Sequence, residues 1–421
     1  YYINQKDPEK IRFIKKIIPN KVKFFVKSKI FFIPEYINKT KTLEENLINR
    51  IKINNRLESK LIKLMREKNL VNNEFFPQTQ FLNLNYKEVP VENLEKTRSR
   101  YMNHNDKIST FFIETNDDNI FLVSEKGKTY FYETNDVLRN MEPKQSLAIN
   151  NLPQNITVTD AMIFNNEIFI AFVNHDFSCE SMEIFKATLN KNYLNFNEFY
   201  KQGSEGACKQ TNPLGGRIAV FNDNGNESIL VTLKDPDSKN YFILDQHNEN
   251  LEYKFCIVLL IDMKTRKTRI LSAGHRNPQG LFVNKKNTIL LTEHGPRGGD
   301  EINKIIEGKN YGWPLASYGE NYKDNYNFND IYKFKKNHKK FGLEEPIYSF
   351  VPSIGISQII ESPKKFSKRW TNSYLVTSLK GSSIYRVIFN ENFDKIITME
   401  KIKVGKRIRD IVYYKKYNFF L

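Results

Sequence analysis

SAGHRNPQGLFVNKKNTILLTEHGPRGGDEINKIIEGKNYGWPLASYGENY, running from Ser272 to Tyr322, reads unlike the rest of this 421-residue chain. Eight of the 18 glycines fall between Gly274 and Gly319. Elsewhere lysine, isoleucine and asparagine dominate. Glycine accepts positive φ and lets backbone approach a neighbour closely. The stretch is therefore either an unusually tight set of turns or a binding site made partly of main chain.

Outward from this stretch the pattern is one of short strands. FFIETNDDNIFLVSEKGKTYFYE alternates apolar runs with Asn/Asp and Lys-Gly turns. DAMIFNNEIFIAFVN, RIAVFNDNGNESILVTL, GLFVNKKNTILLTEHG and NSYLVTSLKGSSIYRVIF repeat the theme. Such hairpins, without convincing helices between them, suggest radially repeated four-stranded blades over residues 82–421. A β-sandwich is the alternative, but the chain is long for one. The last residues, RIRDIVYYKKYNFFL, stop inside what reads as another hairpin, which suggests truncation at that end.

The net charge of +17 is uneven. Residues 1–70 hold 18 Lys and Arg against 7 Asp and Glu. A nucleic-acid footprint would need a basic face on a recognisable reading module, and none is present. Residues 1–41 instead mix Lys with Ile, Phe and Val, as membrane-surface segments do; a solvated basic tail is the competing reading. No run is long and apolar enough to span a bilayer. An upstream signal or anchor, and an extracytoplasmic, periplasmic setting, are the expectations that follow. Residues 42–72 carry Leu43, Leu47, Ile51, Leu57, Leu61 and Leu64 at helical spacing. They predict an amphipathic helix or a short self-associating coiled coil. Cys256 sits in an apolar strand as a buried thiol. Cys179 and Cys208 are either a disulfide, which suits an exported protein, or two free thiols.

GHRNPQG, TEHGPRGGDEIN and NYGWP with SYGENY, in that order, resemble the PQQ-dependent soluble aldose sugar dehydrogenases, the glucose/sorbosone dehydrogenase family. EEPIYSFVPSIGIS, LVTSLKGSSIYRV and GKRIRDI extend the resemblance more loosely towards the C-terminus, and residues 1–100 lie outside it. It implies an all-β, six-bladed β-propeller behind a basic, partly helical arm. It implies a site on one face near the central channel, binding PQQ and Ca²⁺ and oxidising an aldose sugar at C1. The metal would take carbonyls of Gly295 and Pro296, with Tyr311 close by, since Ca²⁺ prefers oxygen ligands. Asp300 and Glu301 would complete the charge or hold the loop. Arg276, Asn277, Lys380, Arg407 and Arg409 match the positions that hold the anionic cofactor. Phe350 matches an aromatic over the quinone, and Asn155 a glutamine that contacts it. His275 and His294 read as structural.

One position argues against the family reaction. The resemblance places a general-base histidine just before the GGR turn, a role suited to imidazole near neutral pH. Here Gly215, Gly216 and Arg217 are preceded by Pro213 at that place, and no histidine occurs between His175 and His247. No catalytic residue is assigned. The rival expectation is a non-catalytic propeller that binds a glycan or a protein partner.

Overall fold

The computed structural model describes residues 84, 97–98, 107–108, 110–135, 145–175, 181–202, 215–235, 255–320 and 334–421. All lie in the second of two compact units, Phe76–Leu421. The arm at 1–41, the helix at 42–72, Cys179, Cys208 and Pro213 lie outside the described residues.

The turn signals act as the sequence suggests. Asn224 and Gly225 both take positive φ, 53° and 95°. They join Ile218–Asp223 to Asn226–Leu233 as a tight hairpin whose twist suits paired strands. Asn165 and Asn166, at 49° and 60°, do the same between Ile156–Phe164 and Glu167–Asn174.

Five antiparallel blades of a β-propeller result. The first is Phe111–Asn116, Asn119–Ser124, Thr129–Glu133 and Gln145–Ser146. The second is Ile156–Phe164, Glu167–Asn174, Ser181–Thr188 and Asn197–Lys201. The third is Ile218–Asp223, Asn226–Leu233, Ile257–Asp262 and Thr268–Ala273, with Lys309–Asn310 added in parallel. The fourth is Pro278–Val283, Ile289–Glu293, Asp300–Ile305 and Tyr348–Phe350. The fifth is Ile356–Glu361, Ser373–Ser378, Ser383–Phe389 and Ile396–Lys403.

Each core lies between blades because successive strand residues point to opposite faces. In Asn226–Leu233, Ile229 and Val231 pack against the second blade while Leu230 packs against the fourth. Leu290 and Leu291 divide in the same way between the fifth and third blades. Burying each such side chain stabilises by about 1.5–3 kcal/mol.

The expectation of six blades is corrected to five among the described residues. After the fifth blade, the described residues form a hairpin, Tyr413–Tyr414 with Phe419–Phe420. Two-residue strands cannot make a blade, so side chains do the closing. Tyr414 packs with Ile120, Tyr130 and Tyr132 of the first blade, and its hydroxyl donates to the Asp117 carbonyl at 2.7 Å. Phe420 packs edge-on against Phe366 beside the fifth blade, at 4.7 Å between centroids.

Tyr414→Ala should therefore cost about 3–5 kcal/mol, as for a buried aromatic. Urea unfolding checks this; a loss below about 1 kcal/mol would mean the ring is not closed through Tyr414.

Candidate functional site

Three backbone contacts define one end of the propeller. His175 N donates to Asn155 O at 2.8 Å, His294 N to Asn277 O at 2.9 Å and Leu379 N to Gly355 O at 2.7 Å. Each ties the start of a blade's first strand to the loop between its second and third strands. Arg217 donates to both Asp160 and Gln279, linking three blades, so these starts share one end. Ile408 N donates to Ser378 O at 3.2 Å, which brings the 404–409 segment to the same end.

The glycine cluster is explained here. A Cβ on Gly295 would collide with the Gly299 carbonyl, and one on Gly299 with the Gly319 amide. Gly299 also needs φ of +72°. Backbone is packed on backbone beside a cleft. Gly274, Arg276, Glu293, His294, Gly295, Glu301, Tyr311 and Trp313 are among its lining residues, and its enclosed volume is about 10 Å³, room for about one water.

Arg276 is the central side chain of this cleft. Its Nη1 donates to the His294 carbonyl at 3.0 Å and the Gly295 carbonyl at 2.9 Å. Its guanidinium lies 5.1 Å from the Trp313 ring centre, within cation–π range. The Trp313 indole N–H donates to Asp235 at 2.8 Å, and Asp235 N donates to Arg276 O at 3.0 Å. Arg276 Nε is buried with no hydrogen-bond partner.

Beneath it, Glu293 accepts from Arg276 N at 2.6 Å and Asn303 Nδ2 at 2.8 Å, and pairs with His275 Nδ1 at 3.0 Å. His275 reaches Ser272 Oγ at 2.8 Å and stacks on Tyr311. It is a structural residue, as the sequence suggested. Glu301 sits directly across from Glu293 on the neighbouring strand. Burial, then the Glu293 charge, push its carboxyl well above the usual range. Asp300 is spent on loop amides, accepting from Gly295 N at 3.3 Å and Ile356 N at 3.0 Å. Burial is the main influence on the His294 imidazole. Asp300 opposes it and Arg409 and Arg276 add to it, bringing His294 down to about 4, so it is neutral at physiological pH.

Asn277 and Arg409 are joined by a residue that sequence reasoning missed. Gln279 Oε1 accepts from Arg409 Nη1 at 2.6 Å, and its Nε2 donates to Asn277 Oδ1 at 3.0 Å. Burial, with the Arg217 and Arg407 charges, lowers Arg409 to about 10, which leaves it charged. Arg407 and Lys380 are exposed at the same end. Phe350 is 6% exposed and packs against Tyr348 and Tyr385 in the interblade core; it does not line the cleft. The Tyr311 hydroxyl is occupied by Lys304 O and Ile306 N, which leaves only its carbonyl for a metal.

Residues 259–420 match the family model Glucose / Sorbosone dehydrogenase. This part of the chain resembles that family. It is similar to aldose sugar dehydrogenase YliI of Escherichia coli (strain K12), at 36% identity over 152 residues, 34% of this chain and 38% of that one. Quinoprotein glucose dehydrogenase B of Acinetobacter calcoaceticus is 28% identical over 204 residues, covering 34% of this chain and 40% of that one. The chain thus spans about two fifths of these relatives. A crystal structure of glucose dehydrogenase superposes with a TM-score of 0.60 at 19% identity, covering 74% of this chain and 91% of that one. The apo-form aldose sugar dehydrogenase of Escherichia coli gives 0.56 at 22%, covering 72% and 88%. At such identities the likeness is one of fold, and that fold is the propeller.

The axis below the site is acidic. Glu114 lies near Asp410 and Asp160, and burial, then those two charges, raise its carboxyl well above the usual value. The folded state therefore holds a proton that the unfolded state releases above about pH 4.3. Stability is lost as pH rises from there to the folded pKa. Glu114→Gln should match the wild type near pH 4 and exceed it at pH 8. Chemical denaturation at both pH values checks this; a constant difference would refute it.

Proposed function

We propose that this chain is a glucose/sorbosone dehydrogenase-like propeller that keeps an anionic-cofactor site and has lost efficient sugar oxidation. The observation that carries the reading is the gathering of Arg276, Asn277, Lys380, Arg407 and Arg409 at one end of the propeller, beside a cleft with a buried, unpartnered guanidinium nitrogen. PQQ, with three carboxylates and an orthoquinone, is a ligand of the right chemistry. Guanidinium forks bind carboxylates bidentately. When bound, it would supply the hydride acceptor for oxidation of an aldose at C1.

The chain's own residues divide the remaining work. Arg409 is held by Gln279 and presents charge from the axis. Arg276 presents charge from the Trp313 face. The carbonyls of Gly295 and Pro296, with that of Tyr311, are oxygen donors of the class Ca²⁺ takes. His294, neutral and buried, adds no competing positive charge. No imidazole stands before Gly215, because that place is Pro213. His175 shares the same end, with Nε2 2.9 Å from Thr157 Oγ1, but belongs to the second blade. Proline at the base position favours a second reading, a non-catalytic propeller that binds a glycan or protein partner with this face.

Titration of the purified full chain with PQQ and Ca²⁺, followed by cofactor absorbance, tests the first reading. Saturable binding is expected, weakened at least about tenfold in Arg409→Ala, the scale of one lost charged pair. Absence of binding would leave the second reading. Adding glucose should reduce the bound quinone slowly, and Pro213→His should speed it; fast reduction by the wild type would place the base elsewhere. We also propose an extracytoplasmic setting with the basic arm against a membrane. Flotation with anionic vesicles should need residues 1–41, and equal flotation without them would remove that role.

A further inference from the structure

One surface turn in the long connection of the fourth blade presents a tip that folding does not use. FKKNHKKFG, Phe334 to Gly342, holds four lysines and no acid. Within it His338 is buried and stacks on Tyr318 at 5.2 Å between ring centres, and Leu343 is buried just beyond it. The Phe341 and Leu343 amides both donate to the His338 carbonyl, at 2.9 and 3.1 Å, and Asn337 Oδ1 accepts from Lys340 N at 2.9 Å. Gly342 turns the chain at a φ of +76°. The turn is thus rooted from below, while Lys339, Lys340 and Phe341 stay exposed. Phe341 is 48% exposed, although a turn so rooted has no need of an aromatic there.

Two neighbours extend the tip. Lys335 N donates to the Leu315 carbonyl at 3.0 Å, and Lys335 Nζ lies 5.3 Å from the centre of the Phe341 ring. Leu315 is 50% exposed. A leucine, a phenylalanine and the lysine between them therefore form one projecting patch. Its charge is not compensated. Lys336 is spent on Glu320 at 2.8 Å, and Glu345 on the Lys339 amide at 3.0 Å and the Tyr318 hydroxyl at 2.7 Å. Glu344 faces Lys309 at 3.8 Å. Among the described residues, the ammonium groups of Lys335, Lys339 and Lys340 make no ion pair.

From these contacts we propose that Leu315, Lys335, Lys339, Lys340 and Phe341 form a membrane contact on the propeller itself, seated on an anionic bilayer. The two apolar side chains enter the headgroup boundary, and the lysine stems lie along them while the ammonium groups reach lipid phosphates. Each such lysine strengthens binding several-fold, and the attraction fades within a Debye length. Shape favours a bilayer over an acidic protein. A stable protein interface takes about 800 Å² from each partner around an apolar core, whereas two apolar side chains projecting from a turn suit shallow insertion. Phe334, at the start of the same segment, packs on Trp313 at 5.4 Å, so the contact holds the Trp313 wall of the cleft beside the membrane. The proposal goes beyond the cofactor reading and needs neither a bound cofactor nor residues 1–41.

Phe341→Trp in the full chain reads the contact directly, through quenching of its fluorescence by brominated lipid in vesicles of equimolar phosphatidylcholine and phosphatidylglycerol. Trp313 and Trp370 are buried, so the wild type sets the background. Quenching well above that background is expected, with little from phosphatidylcholine vesicles alone. Changing Lys335, Lys339 and Lys340 together to Gln should weaken binding to the anionic vesicles at least about tenfold, with folding checked by thermal unfolding. Quenching at background level, or unchanged affinity in the folded lysine variant, overturns the proposal. Flotation that needs residues 1–41 yet leaves Phe341→Trp unquenched assigns the membrane to the arm alone and leaves the patch to an acidic protein. Quenching in a chain that fails to bind PQQ supports this contact while the cofactor reading falls.

Discussion

One buried guanidinium holds the axis together. Arg217 Nη1 reaches Asp160 at 2.7 Å and Asp410 at 3.4 Å, its Nε donates to Gln279 O at 2.7 Å and its Nη2 to Arg409 O at 3.3 Å. These four partners belong to the second blade, the segment after the fifth blade and the start of the fourth. Asp410 in turn accepts from Ile113 N of the first blade at 3.1 Å. Taking such charges out of water is costly, and only near-complete pairing offsets it. Burial pushes Asp160 up and the Arg217 charge pulls it back, leaving it raised to about 6. The network is therefore a positional constraint more than a source of net stability. It fixes where the first strands begin, and every candidate site residue is placed relative to those beginnings.

Position along the blade then explains which parts of the fold the sequence revealed. Hairpin turns were legible because Asn-Gly and Asn-Asn pairs carry the backbone requirement in their own residue types. The glycine cluster was legible as backbone crowding, since Gly295 and Gly299 admit no Cβ. Blade number was not legible. A hairpin such as Tyr413–Tyr414 with Phe419–Phe420 has the same local signature as half a blade, and only its pairing partners distinguish them. The third blade's fifth strand, Lys309–Asn310, was hidden for the same reason: a two-residue parallel pairing leaves no periodicity to read.

The site divides in the same manner. Arg276, Asn277, Arg407, Arg409 and Lys380 were found because a motif resemblance pointed to them, and the structure gathers them at one end. Phe350, which the resemblance matched to an aromatic over the quinone, packs between Tyr348 and Tyr385 in the interblade core. Gln279 and Asp160 had a signal that went unused. Each interrupts an apolar strand with a polar group, and a buried polar group needs partners. Asking which partners would have led from Asp160 to Arg217, and from Gln279 to Asn277 and Arg409.

The proposed reading, anionic-cofactor binding kept and the base lost, is chemically coherent. Binding an anionic cofactor draws on charge and hydrogen bonds that exist in the ground state. Proton removal from a sugar hydroxyl draws on a group whose contribution appears only in the transition state. In the proposed reading, proline at the base position removes the second contribution, while Arg276 and Arg409 keep their anchors on Trp313, the loop carbonyls and Gln279. Arg276 belongs to the approach to the fourth blade and Arg409 to the segment after the fifth, so the candidate charges are assembled from separate elements. A propeller whose sites are assembled from separate blades can lose one function and keep the other, which is what the proposed reading requires of this chain.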